Sequence, residues 1–143
     1  MRRRSLLTPA ERAGLLAFPA DHGELIRYYT LSEPDLALIR QRRGNHNRLG
    51  FAVQLCCLRY PGLILSPGAN PPAQLTAIVG QQSHIESDIW PQYAQRSETR
   101  REHLAELQAW LNLAPFAAAD YKRSVRQLAE LAQQTAASYW LKP

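Results

Sequence analysis

An all-α fold of about seven helices is predicted by three observations on the 143-residue chain. Apolar residues recur at spacings of three and four nearly throughout. Ser, Thr and Asp stand just ahead of these periodic stretches, where a helix start needs a side-chain acceptor. No stretch alternates apolar and polar residues in the manner of a half-buried strand, and no internal repeat is present.

The elements follow in order. Thr8-Pro9-Ala10-Glu11 reads as a capping box with proline at the first helical position, and Leu15, Leu16 and Phe18 follow it. Asp21 caps a short second helix through Glu24, Leu25, Ile26 and Tyr29. Ser32-Glu33-Pro34-Asp35 opens a third, with acids at its positive dipole end and Leu36, Leu38 and Ile39 as its apolar positions. Arg42, Arg43 and Gly44 mark its end, cations and then glycine. A fourth helix starts near Asn45 and runs to Tyr60, where Pro61-Gly62 stops it. Residues 63 to 72, rich in proline and glycine, read as a loop. PPAQLTAIVGQQ is a short apolar helix, and SHIESDIWPQYAQR an irregular or two-turn connection broken by Pro91. Ser97 or Thr99 caps the next long helix, with Thr99-Arg100-Arg101-Glu102 as a capping box and Leu104, Leu107, Trp110 and Leu111 as the buried stripe. The last helix runs from about Asp120 to Tyr139 with Val125, Leu128, Leu131 and Ala132 on one face.

This pattern suggests a helical unit over residues 1–62, a connecting loop over 63–72 and a second helical unit over 73–143, the whole compatible with one compact domain. No run of about 18 apolar residues occurs, so a membrane-spanning helix is not expected. The N-terminus places arginines before leucines, yet Glu11 and Arg12 interrupt the apolar part and no small-residue cleavage site follows. A cytoplasmic protein is expected. The adjacent Cys56 and Cys57 point to different sides of a helix, so they read as small packing residues rather than a disulfide or metal pair.

Net charge is +5 with a pI near 9.6, and the charge is unevenly distributed. Between Asp35 and Glu86 no acidic residue occurs, while Arg40, Arg42, Arg43, Arg48 and Arg59 all fall there. Such an interval creates a positive field suited to a phosphate backbone or another anionic surface. Arg2, Arg3 and Arg4 form a basic arm. Arg96, Arg100 and Arg101 gather at a helix start, where cations oppose the dipole, and Lys122, Arg123 and Arg126 crowd the start of the last helix.

Signatures of catalysis are missing. There is no glycine-rich phosphate loop, no His-Glu-x-x-His and no Cys-x-x-Cys. The histidines at 22, 46, 84 and 103 are scattered, so no metal or other cofactor is expected. Glu102 and His103 read as part of a solvated helix face. Glu98, Glu102 and Glu106 share one face among Arg100 and Arg101, a pattern of surface ion pairing.

The stretch IRQRRGNHNRLGFAVQLCCLRYPG joins two helices at Arg43-Gly44-Asn45. That is the layout of a helix-turn-helix, in which side chains at the head of the second helix reach base edges. Asn45, His46, Asn47 and Arg48 stand at that head, and Arg40, Arg42 and Arg43 precede it. Asparagine pairs bidentately with adenine and arginine with guanine, while neighbouring arginines hold phosphates. Beyond Arg48, LGFAVQLCCL is apolar on nearly every side, so only the first turn is free for contact. The competing reading makes Asn45 a plain N-cap and the arginines a solvated C-cap, and spacing alone does not separate the two.

Three ordered blocks carry a resemblance. Arg-Arg-Gly-x-His-Asn-Arg-Leu-Gly-Phe-Ala, Leu-Arg-Tyr-Pro-Gly and Thr-Arg-Arg-Glu-His, with the succession that precedes them, resemble transposases of the Tn-three family of replicative bacterial transposons. The matching blocks span most of residues 2 to 113. The resemblance implies a helical N-terminal region that binds double-stranded DNA at the terminal inverted repeats. It implies DNA contacts at Arg42, Arg43, Asn45, His46, Asn47 and Arg48, and also at Arg100 and Arg101. In that family a much larger C-terminal part carries a ribonuclease-H-like core with three metal-binding acids. That core is not expected in this chain, which then reads as a truncated gene product or an excised domain without catalysis of its own. The ending TAASYWLKP and the proline-rich loop at 66–72 do not match the family pattern. The alternative is a protein-interaction or assembly module that self-associates through the helices bearing Trp110 and Trp140.

Overall fold

A computed structural model describes residues 7–140, with side chains described through residue 137. The basic arm Arg2 to Arg4 and the side chains of Tyr139 and Trp140 lie outside the described residues. Within these limits every regular element is helical, and the all-α expectation holds. The order is α1 (Pro9–Leu15), α2 (His22–Tyr29), α3 (Glu33–Arg40), α4 (Asn45–Arg59), α5 (Ala73–Ser83), a 3-10 segment (Ser87–Gln92), α6 (Ser97–Trp110) and α7 (Ala118–Trp140). Among the described residues no helix is long and apolar enough to cross a membrane.

The first three helices begin as their capping residues dictate. Thr8 accepts from the Glu11 amide, Asp21 from the Glu24 amide and Ser32 from the Asp35 amide, with reciprocal capping boxes at α1 and α3. Helix α6 departs from the sequence expectation. It begins at Ser97, its N-cap position is Arg96 with no side-chain cap, and Thr99 already lies inside the helix. Its buried side is also turned. Leu107 and His103 are buried, Leu104 and Leu111 are half-buried, and Trp110 keeps 45% exposure while its indole N–H donates to the buried Asp35.

Helix α4 is the centre of the packing. Nine consecutive residues, Leu49 through Cys57, are buried, because α2, α3, α5, α6 and the 3-10 segment all pack against it. Each fully buried Leu, Val or Phe there contributes about 1.5–3 kcal/mol by leaving water. Cys56 and Cys57 are free and buried, and burial pushes the Cys57 thiol up to about 12, so both act as packing groups. The amide of Gln54, buried among them, is satisfied by the backbone of Leu65, donating to its carbonyl at 3.4 Å and accepting from its N–H at 3.3 Å. Gln82 of α5 makes a second clamp, accepting from the Leu31 N–H at 2.7 Å and donating to the Tyr29 carbonyl at 2.8 Å. These amides tie the 63–72 loop and α5 to the helices before them.

The chain divides into two compact units, Met1–Leu111 and Asn112–Pro143. The second consists of the segment 112–117 and α7. Its apolar residues Phe116, Tyr121, Val125, Leu128 and Leu131 are all exposed.

Candidate functional site

The head of α4 follows Arg40, Arg42 and Arg43 directly, and its geometry begins at Gly44. This residue holds φ 78° and ψ 144°, a backbone region that side-chain-bearing residues rarely adopt, and it occupies the N-cap position without a side-chain cap. An added Cβ would also meet the His46 imidazole at 2.8 Å. The first turn of α4 therefore carries no side-chain cap, and the positive end of the helix dipole lies at this turn. Asn45 is exposed, and His46, Asn47 and Arg48 are half-buried. From Leu49 onward the helix is core.

The arginines differ in what holds them. Arg40 and Arg43 are exposed, and among the described residues no carboxylate pairs with either. Arg42 turns inward. It pairs with Glu106 of α6 at 2.5 Å, and its guanidinium lies 4.8 Å from the centre of the Phe51 ring. The side chain keeps 15% exposure and its Nε is buried without a hydrogen-bond partner. Arg48 braces the turn by donating from Nε to the Arg42 carbonyl at 2.9 Å. Arg59 is fully engaged elsewhere, donating to both carboxylate oxygens of Asp35 at 2.7 and 2.8 Å. Among the described residues, the five arginines of the acid-free interval thus divide into two without a carboxylate partner, one brace and two internal partners.

Two grooves flank the turn. One is lined by Arg40, Asn45 and Arg48 with Gln82 and His84 at the end of α5. The other is lined by His46 and Asn47 with Gln95, Arg96 and Thr99 from the start of α6. Neither groove contains a carboxylate. Arg101 is exposed, while Arg100 is half-buried and lines a separate cavity against the 66–70 turn. His84 and Gln95 could not be picked out from the sequence. They reach the turn across about forty residues or more, and His84 does so from a left-handed C-cap with φ 57°.

Beneath the turn sits His103, and here the expectation of a solvated face is corrected. His103 is 6% exposed. Its Nδ1 lies 3.1 Å from the Tyr93 hydroxyl, and its ring meets Phe51 edge-on at 5.2 Å. Burial lowers its pKa and the Arg42 charge lowers it further, against a smaller opposing pull from Glu106. The expected ion pairing along Glu98, Glu102 and Glu106 is replaced at Glu106 by the pair to Arg42, which joins two elements. Tyr93 lies flat over Gly50, where a Cβ would come within 1.9 Å of the ring. Among the described residues no group of three or more His, Cys, Asp or Glu is placed to hold a metal ion.

Fold and site define a small helical module that presents a basic, carboxylate-free turn on the end of a buried helix. Residues 6–141 match the family described as Domain of unknown function (DUF4158), and the chain belongs to that family. It is 51% identical over 135 residues to the transposase for transposon Tn501 of Pseudomonas aeruginosa, covering 94% of this chain and 14% of that protein. It is 50% identical over 135 residues to the transposase for transposon Tn21 of Escherichia coli, with the same coverage of 94% and 14%. Against the transposase for transposon Tn2501 of Escherichia coli the identity is 40% over 141 residues, or 99% of this chain and 14% of the other. The residues therefore correspond to the N-terminal region of Tn-three family transposases, and the chain spans about 14% of the length of these relatives.

Proposed function

We propose that this domain binds double-stranded DNA and recognises the terminal inverted repeats of a transposon, with the head of α4 as the contact turn. The observation that carries the reading is the pair of carboxylate-free grooves on either side of a turn that exposes Arg40, Arg43 and Asn45. No acid lines either groove to repel a polyanion, and arginine–phosphate contacts release counterions. Asn47 and Arg48, at the mouth of the turn, read base edges. Arg40, Arg43 and Arg101 hold phosphates. Arg42 acts as a positioning residue through Glu106 and Phe51. Similarity to proteins named as transposases supports a role in DNA transposition.

Gel-shift titrations with candidate inverted repeats and scrambled duplexes at two salt concentrations test this. Affinity is expected to fall steeply with salt. Asn47→Ala and Arg48→Ala are each expected to reduce discrimination by about 1–3 kcal/mol per lost base contact. Unchanged discrimination in both variants would remove the contact-turn assignment.

A second reading, a module for subunit assembly, is favoured by one observation: Tyr121, Val125, Leu128 and Leu131 of α7 are exposed at helical spacing. Sedimentation over a concentration series, with and without DNA, separates the two. Self-association independent of DNA supports assembly.

A further inference from the structure

Beside the contact turn lies a cavity of ≈ 340 Å³ between the 66–70 turn and the segment leading into α6. That is within the size of pockets that take small organic ligands, about 300–1,000 Å³. Its composition is specific. Trp90 and Tyr93 supply aromatic surface, with ring centres 5.3 Å apart and planes 35° apart. Asn70 and Gln95 supply amides, Arg100 supplies one cation, and no carboxylate lines it. Arg100 is half-buried, and among the described residues no acidic group pairs with it.

The cavity is a built feature. Its outer wall is the 66–70 turn, closed by the Ala69 N–H donating to the Ser66 carbonyl at 3.0 Å and by Gly68 at φ 76°. Gln54 pins the base of that wall through both backbone groups of Leu65. Its inner wall is Tyr93, held by His103 and seated on Gly50. Ala94 and Gln95 line both this cavity and the groove that contains His46 and Asn47, so the two are neighbours.

An aromatic face, amide edges and an unpaired cation without acids match one ligand chemistry, that of a nucleotide: a flat base, donor and acceptor edges, and a phosphate. We propose that this cavity receives a single unstacked nucleobase of the bound DNA, which stacks on Trp90 while Arg100 holds the adjoining phosphate. Asn70 and Gln95 face the edge of the base. The inference rests on the DNA-binding reading above. It adds that the domain prefers duplexes offering an unpaired or easily extruded base, for which the cost of unstacking is already reduced.

Anisotropy titrations with a blunt random-sequence duplex, and with the same duplex carrying one unpaired 2-aminopurine, test the proposal on the full chain. The bulged duplex is expected to bind about tenfold tighter, the scale of one base–aromatic stack, with quenching of 2-aminopurine by the indole. Trp90→Ala is expected to abolish both the preference and the quench while blunt-duplex affinity is retained. Asn70→Ala, on an exposed turn where folding is not at stake, is expected to weaken the preference, and Trp90→Phe to preserve it. Equal binding of both duplexes without quenching overturns the pocket and leaves the DNA reading standing. A preference that survives in both alanine variants also overturns it. Binding of neither duplex overturns both readings.

Discussion

Among the described residues, Asp35 gathers more interactions than any other acid. It closes the α3 capping box with Ser32, takes both nitrogens of Arg59 and accepts the Trp110 indole N–H at 3.2 Å. Burial alone raises its pKa, but hydrogen bonds from Arg59 and Ser32 outweigh that and hold the carboxyl well below the carboxylate range. Its contribution is therefore complete above an unfolded value of about 3.9 and fades as pH falls below it. Asp35→Ala is expected to cost about 3 kcal/mol in urea unfolding at neutral pH. That is the low end for a broken buried pair, because the Arg59 side chain keeps 31% exposure and can be rehydrated. His103 works in a higher pH window. Its folded pKa lies below the ordinary value of 6.5, so the folded state favours the neutral ring. Stability is then full above that value and declines as pH falls through the folded pKa. Chemical unfolding between neutral and mildly acidic pH is expected to show this decline, and His103→Gln, which still presents an acceptor to Tyr93, is expected to flatten it.

At the scale of elements, glycines report how tightly the helices meet. In α4, Gly50→Ala forces a methyl group into the Tyr93 ring, which cannot retreat without releasing His103. The expected cost is about 3 kcal/mol, the upper end for overpacking. Gly14→Ala, in α1 with nothing within 4 Å, is expected to stabilise by about 0.5–1 kcal/mol. Paired denaturation curves of the two variants check the contrast. The starts of α1, α2 and α3 were legible in the sequence because a cap is local, involving residues three apart. At α6 the Ser97 alternative fell within one residue of the start, but the Thr99-Arg100-Arg101-Glu102 alternative carries the same local signature and lies inside a helix already begun at Ser97. The burial of α4 beyond Arg48 was legible from composition alone. The inward turn of Arg42 was not, because its partners Phe51 and Glu106 are chosen by packing between elements. His103 was hidden for the same reason: charged neighbours mark its stretch as exposed, while its own face turns toward Phe51 and Tyr93.

For the whole molecule, the segment 112–117 is an accessible place among the described residues. Every residue in it is exposed, Asn112 holds φ 54°, and Phe116 is 70% exposed in a non-helical backbone. Brief chymotrypsin digestion is expected to cut after Phe116 before any site in α2 to α6. The larger product, which contains the α4 turn and both grooves, is expected to retain DNA binding in a gel shift. Loss of binding on that single cut would transfer the contact to the second unit, where Lys122, Arg123 and Arg126 lie.

The burial of α4 has a bearing on whichever duplex docks there. Leu49 to Cys57 are out of water before any partner arrives, so the first turn cannot tilt or slide without opening the core. In the proposed complex the compliance must come from the nucleic acid. Base steps that bend or widen easily would seat at least cost, including steps that no side chain touches. Selectivity of that kind belongs to the mechanics of the DNA, with the protein acting as a fixed template.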